Sequence, residues 1–251
     1  RGRYRRLLAL ATGVIVKSRP MADTLIALGA SPDRLLISPS GANPELFHGS
    51  VPDQAPPRLL AVGRFVAKKG PLQTIRAFSE LCRTLGSEDP QPSLWMVGDG
   101  PLLRQAQELA RALSLQKRIH FLGACPQGQV AELMREARGF VQHSLVAPDG
   151  DSEGSPVAVM EAQLSGLPVV ATRHAGIPEV VLDGQSGLLV EEGDEIAMAQ
   201  AMARLVLDPA LAALLGDFGR RRVQSQFTIE HHLLQVSQLL HQVMQRQTES
   251  L

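Results

Sequence analysis

The stretch Arg58-Leu-Leu-Ala-Val62-Gly63-Arg64-Phe-Val-Ala-Lys68-Lys69-Gly70-Pro71 decides the fold class. Leu59 to Val62 form an unbroken apolar run, as expected of a strand buried on both faces in a parallel sheet. A turn rich in glycine and cations follows. Leu72, Ile75, Phe78, Leu81, Cys82 and Leu85 then recur at helical spacing. Working outward, apolar runs at residues 11–16, 35–38, 94–97, 118–121, 139–142, 168–171 and 187–190 read as further strands. Leu102, Leu103, Ala106, Leu109, Ala110 and Leu113 repeat the helical period. This alternation predicts an α/β fold, a doubly wound parallel sheet with helices on both faces.

Residues 39–57 break the rhythm with Pro39, Pro44, Pro52, Pro56 and Pro57, and 51–57 read as a linker. Residues 1–50 hold only two strands and one good helix, at 20–28, too little for an independent domain. Residues 58–228 supply six strands and form a candidate domain. From residue 229, Leu233, Leu234, Val236, Leu239, Leu240 and Val243 mark a last amphipathic helix.

The 251 residues carry 25 basic and 25 acidic side chains, which gives no support for nucleic acid as the main partner. Cys82 and Cys125 have no metal or CxxC spacing and suggest a reducing, cytoplasmic setting. The apolar run at 7–16 is shorter than the about 20 residues that span a bilayer, and no signal-peptide pattern is present. Arg1, Arg3, Arg5 and Arg6 can touch a membrane surface or phosphates, although a solvated helix face is the simpler reading.

In doubly wound sheets ligands bind at the carboxyl ends of strands. There, Arg64, Lys69 and the following helix N-terminus can clamp a diphosphate, or form an ordinary solvated basic turn. Gly98-Asp99-Gly100-Pro101 lacks the third glycine of a dinucleotide fingerprint, and a turn capped by Asp99 explains it as well. Asp149 and Asp151 read better as a solvated loop than as metal ligands. His120, His143 and His174 stand near strand ends with structural or hydrogen-bonding roles favoured.

Glu153-Gly-Ser-Pro-Val-Ala-Val-Met-Glu161 places two carboxylates across a helix start. Ser155 is the expected N-cap and Pro156 the first helical residue. Glu153 then sits at the helix mouth. Glu161 lies among Val157, Val159, Met160, Ala162 and Leu164, where a carboxylate requires hydrogen-bonding partners. An anion-attracting helix end beside a carboxylate in need of hydroxyls fits a ligand with both phosphate and sugar.

In order, GRFVAKKG, VGDGP, IHFLG, EGSPVAVME, SGLPVVATRHAGIPEVV and DGQSGLLV resemble the C-terminal donor half of retaining glycosyltransferases of family four. The loop at 147–153 and Thr172-Arg-His174 further resemble the colanic acid or amylovoran exopolysaccharide type. The resemblance implies the GT-B architecture of two facing Rossmann-like domains, with residues 1–50 a remnant of the acceptor domain. In it, 51–57 are the interdomain linker, 58–228 the donor domain and 229–251 the helix that crosses back.

It also implies that Arg64 and Lys69, beside Gly63, hold the donor diphosphate and that Glu153 contacts the sugar. Glu161 would bond the ribose, Gly154, Ser155, Pro156 and Val157 would face sugar and phosphate, and His120, Phe121 and Leu122 would cradle the base. No metal or other cofactor is implied. The partners are a nucleotide-sugar donor and a glycan or lipid-linked acceptor, with peripheral membrane association at the inner face. The complete enzyme would transfer a hexose with retention, and this chain alone would be inactive. Two rival readings stand beside it: a non-catalytic nucleotide-sugar-binding module, and a sugar-nucleotide epimerase of GT-B shape.

Overall fold

The computed structural model describes residues 2–86 and 88–248, with side chains to 245. Arg1 and the end of the expected crossover helix lie outside them. The chain begins with α1 (Gly2–Leu10), β1 (Val14–Val16), α2 (Arg19–Ala27) and β2 (Leu35–Ile37), and β1 and β2 pair in parallel. The larger sheet takes β3 (Arg58–Val62), β4 (Ser93–Val97), β5 (Ile119–Gly123), β6 (Gly139–Gln142), β7 (Val169–Thr172) and β8 (Gly187–Val190). Its order is β5-β4-β3-β6-β7-β8, every pairing parallel.

The intervening helices are α3 (Pro71–Thr84), α4 (Leu103–Ala112), α5 (Gln127–Arg135), α6 (Val157–Ser165), α7 (Ile177–Val180), α8 (Glu195–Leu207) and α9 (Pro209–Gln226). Period-two alternation divides the core. Leu59 faces Ile75, Phe78 and Leu81 of α3 together with Met198 and Met202 of α8. Its neighbour Leu60 faces Val130 and Met134 of α5 together with Met160 and Leu164 of α6. Both faces are therefore covered, and the α/β doubly wound class expected from the sequence is the observed one.

The strand order reverses direction between β3 and β6, which makes their carboxyl ends the switch point where such sheets open a crevice. Gly70, which ends the lysine-bearing turn after β3, has a φ of +54°, and a Cβ there would collide with the carbonyl oxygen of His143 just beyond β6. Only glycine lets the two strand ends approach so closely.

The proline-rich segment packs on the body of the protein. Ala42 N–H donates to Phe227 O at 3.0 Å, Ile229 N–H donates to Ala42 O at 3.0 Å, and Phe47 is buried. Helix α10 (Ile229–Thr248) follows, with Leu233, Leu234 and Leu240 exposed. Among the described residues no single helix is long and apolar enough to cross a membrane.

Candidate functional site

The site lies at the β3–β6 switch point. Gly63 and Arg64 follow β3 and line a small crevice with Phe65, Lys69, Thr74 and Gln142. Arg64 is exposed, and its side chain makes no hydrogen bond or ion pair among the described residues. Helix α3 starts at Pro71, so the positive end of its dipole faces the same turn.

Lys68 and Lys69 are neighbours that share Glu153, and Lys68 also meets Asp151. Lys69 Nζ stands 3.0 Å from Glu153 Oε2. Lys68 Nζ stands 3.1 Å from Asp151 Oδ1 and 3.9 Å from Glu153 Oε1. The hydrogen bond from Lys68 holds the Asp151 carboxyl below its usual range. Asp151 is thus engaged by a lysine. Among the described residues no group of three or more His, Cys, Asp or Glu is placed to hold a metal ion. The Glu153 side chain is 9% exposed, and its Oε1 accepts no hydrogen bond among the described residues. Two lysines offset two carboxylates, and Arg64 leaves the turn with a surplus positive charge for an anion.

Glu161 has a different environment. Residues Val159 to Ser165 of α6 are all buried, and Glu161 is the one carboxylate among them, 7% exposed. Burial pushes its carboxyl up to about 7 from 4.5. Its hydrogen-bonding neighbour is Gln127 at the start of α5, with Nε2 3.5 Å from Oε1. A buried carboxyl with one long hydrogen bond has acceptor capacity to spare for a ligand's hydroxyls.

Ser155 does not cap α6, contrary to expectation. Pro156 takes the cap position in an extended conformation (ψ 118°), the helix starts at Val157, and Ser155 Oγ is buried without a hydrogen-bond partner among the described residues. Because Pro156 is itself extended, the first turn begins one residue later than expected and the serine lies one position too far from its N–H groups. Gly154 instead packs on the β1–α2 turn, where its Cβ position lies 3.0 Å from Lys17 Cβ and 3.2 Å from Met21 Cε. Beside it, a cavity of about 450 Å³ is lined by Ser18, Met21, Leu25, Val146, Glu153 and His174. Glu153 therefore stands between the basic turn and this cavity.

The residues of β5 divide between its two faces. Phe121 packs 6.1 Å, ring to ring, from Phe65 in the arginine turn. His120 meets Trp95 edge-on at 6.1 Å and is exposed, as is Leu122. No contact among the described residues joins His120 to Glu153 or Glu161. Gly98 serves packing, since a Cβ there would strike Gly63 O, and Gly100 N–H donates to Asp99 Oδ1 at 2.7 Å. His143 is structural. Its Nε2 accepts from Gly193 N–H at 2.9 Å, and burial, partly offset by Glu192 and Asp194, pushes it down to about 4. Lys68, Gln127 and Glu192 belong to the site's framework and were not singled out in the sequence. The adjacency of Lys68 to Lys69 was the one available signal.

Residues 43–222 match the family model described as "Glycosyl transferases group 1". The chain is 33% identical over 239 residues to the amylovoran biosynthesis glycosyltransferase AmsK of Erwinia amylovora, covering 94% of this chain and 58% of that protein. It is 34% identical over 217 residues to the putative colanic acid biosynthesis glycosyltransferase WcaL of Salmonella typhimurium, covering 82% and 52%. It thus spans just over half the length of these relatives. Among solved structures, sucrose-phosphate synthase from Thermosynechococcus elongatus superposes with a TM-score of 0.81 at 29% identity, covering 96% of this chain and 61% of that one. Anabaena HepE in complex with UDP and glucose gives 0.82 at 22% identity, covering 96% and 67%, and shows the shared fold. By its match to the family model over residues 43–222 and its identity to these relatives, this chain belongs to the glycosyl transferases group 1 family.

Proposed function

We propose that this chain forms the donor side of a retaining glycosyltransferase that moves a hexose from a uridine or guanosine diphosphate sugar to a glycan or lipid-linked acceptor. The observation that carries the reading is the contrast between two carboxylates of one loop and helix. Glu153 is held by Lys69 at 3.0 Å beside the basic turn, whereas Glu161 is buried with a single weak partner, Gln127. Arg64 and Lys69 offer charge to a diphosphate, Glu153 meets the sugar, and Glu161 accepts from the ribose hydroxyls. Phe121 borders the base, with His120 and Leu122 on the exposed face of the same strand.

The chemistry asked of the protein is electrostatic. Arg64 and Lys69 stabilise negative charge on the departing nucleoside diphosphate, and the Glu153–Lys69 pair keeps the lysine directed at it. In this reading no metal takes part, because the cationic side chains supply the compensating charge. Relatives named for amylovoran and colanic acid synthesis support a role in bacterial exopolysaccharide assembly, and the proposal places that work at the cytoplasmic face of the membrane. The sequence resemblance assigns residues 1–50 to the acceptor domain, 51–57 to a linker, 58–228 to the donor domain and the remainder to a crossover helix. The test is a calorimetric panel of UDP, UDP-glucose, GDP and GDP-mannose with EDTA present. One base series should bind, with the sugar adding affinity. Binding that appears only on addition of a divalent metal would refute the metal-free reading, and no binding of any of the four would refute the donor site.

A further inference from the structure

Between β6 and α6 the chain makes a long excursion that carries Glu153, and two side chains outside it hold both of its ends. His174, in the turn after β7, is 1% exposed. Its Nε2 lies 3.1 Å from the backbone nitrogen of Glu153 and 3.0 Å from Ser152 Oγ. A backbone N–H can only donate, so Nε2 must carry a lone pair and the ring proton must sit on Nδ1. Nδ1 stands 2.5 Å from Glu192 Oε1, placed to receive that proton in a hydrogen bond. The other oxygen of Glu192 accepts from Val146 N–H at 3.0 Å. The carboxylate therefore grips the start of the excursion, and the imidazole grips its end.

The turn that presents His174 is itself constrained. Ala175 has a φ of +45°, a left-handed conformation that alanine adopts only when its surroundings impose it. Gly176 N–H donates to Gly154 O at 2.9 Å, a second tie to the residue after Glu153.

We infer that His174 and Glu192 are positioning residues that set where the Glu153 carboxylate stands, and so control the affinity contributed by the sugar of the donor. The inference rests on the reading of the site as a nucleoside-diphosphate-sugar pocket. Neither residue contacts Arg64 or Lys69 directly, and the clamp reaches Lys69 only through Glu153, so its loss should cost the sugar's contribution more than the diphosphate's.

The experiment compares the unmutated chain with His174→Ala, His174→Gln and Glu192→Gln, titrated with UDP, UDP-glucose, GDP and GDP-mannose. In His174→Ala the gain in affinity from the sugar should fall by about tenfold, the scale of a lost hydrogen bond to a charged group. Binding of the diphosphate alone should weaken by clearly less, because the clamp reaches Lys69 only through Glu153. His174→Gln places an amide oxygen near the lost Nε2 and should recover most of the loss. Equal losses with and without the sugar, or no recovery by Gln, would overturn the inference.

Nitrogen NMR of the unmutated chain should show a protonated Nδ1 and an unprotonated Nε2 at His174, and the reverse would overturn it without any ligand. The Glu153 amide should resist hydrogen exchange in the unmutated chain and in His174→Gln, and exchange faster in His174→Ala below melting. If no nucleotide binds even the unmutated chain, the donor reading fails. The tautomer and the amide exchange then still decide whether the clamp exists.

Discussion

Lys69 Nζ and Glu153 Oε2 lie 3.0 Å apart although 84 positions separate them in the chain. One stands in the turn after β3 and the other in the excursion after β6, so the pair spans the switch point. A lysine available to a phosphate is thereby coupled to a carboxylate available to a sugar. Removing either would leave the other partly buried with less compensation.

The diphosphate clamp is tested first. Arg64→Ala and Lys69→Ala should each weaken nucleoside diphosphate binding by about 1.5–3 kcal/mol, the range for hydrogen bonds to charged groups. Binding of the free nucleoside should change little. Equal losses for both ligands in calorimetry would remove the assignment.

Glu161 gives a second test. Glu161→Gln should weaken binding by about 1–3 kcal/mol and shrink the preference for ribose over 2′-deoxyribose. Glu153→Gln should instead reduce mainly the affinity contributed by the sugar, with a smaller effect on the diphosphate through Lys69. Unchanged 2′-deoxy discrimination in Glu161→Gln, measured below melting, would make this carboxylate purely structural.

Stability should depend on pH through two groups of opposite sign. Glu161 has a folded value raised from 4.5 to about 7, so its contribution is present below 4.5 and lost as pH rises through about 7. His143 has a folded value lowered from 6.5 to about 4, so its contribution is present above 6.5 and lost as pH falls towards 4. Each contribution is worth about 3 kcal/mol, and in the window they share the two oppose each other. Denaturant titrations between about pH 4.5 and 6.5 should therefore show stability rising with pH more steeply in Glu161→Gln, and falling with pH in His143→Gln, than in the unmutated chain.

Gly70→Ala should lower stability by about 2 kcal/mol or more, because strain at positive φ adds to a backbone collision. A melting temperature within a degree or so of the unmutated protein would show that the β3 and β6 strand ends can separate freely.

Donor binding and sugar transfer should come apart in this chain. Holding an acceptor in line with the donor can supply ~7–11 kcal/mol, and the proposed reading gives residues 58–228 the donor and not the acceptor. Purified residues 1–251 should bind the donor without extending a glycan. Robust transfer with no other protein added would contradict this.

The sheet was legible where strands are buried on both sides. The expected bounds of β3, β6 and β8 match the observed ones, since continuous apolar runs such as Leu59 to Val62 admit little else. β1 was expected to start at residue 11 and starts at Val14, because a short strand with an exposed Ile15 carries a weaker pattern. Glu161 was legible as a charge in apolar company. Lys68, Gln127 and Glu192 were not, for a single polar residue beside a strand or helix end carries no period. Their partners are fixed only when separate βα units come together.

Because Gly70 rests against the His143 carbonyl, the pocket exists only once both halves of the sheet have docked. Contacts that bridge the pocket close loops of about eighty residues, among the slowest steps in a chain's search for its native state. A half-folded intermediate would hold the basic turn without its carboxylates and bind donor poorly. A nucleotide sugar should accordingly slow unfolding while leaving the refolding rate almost unchanged.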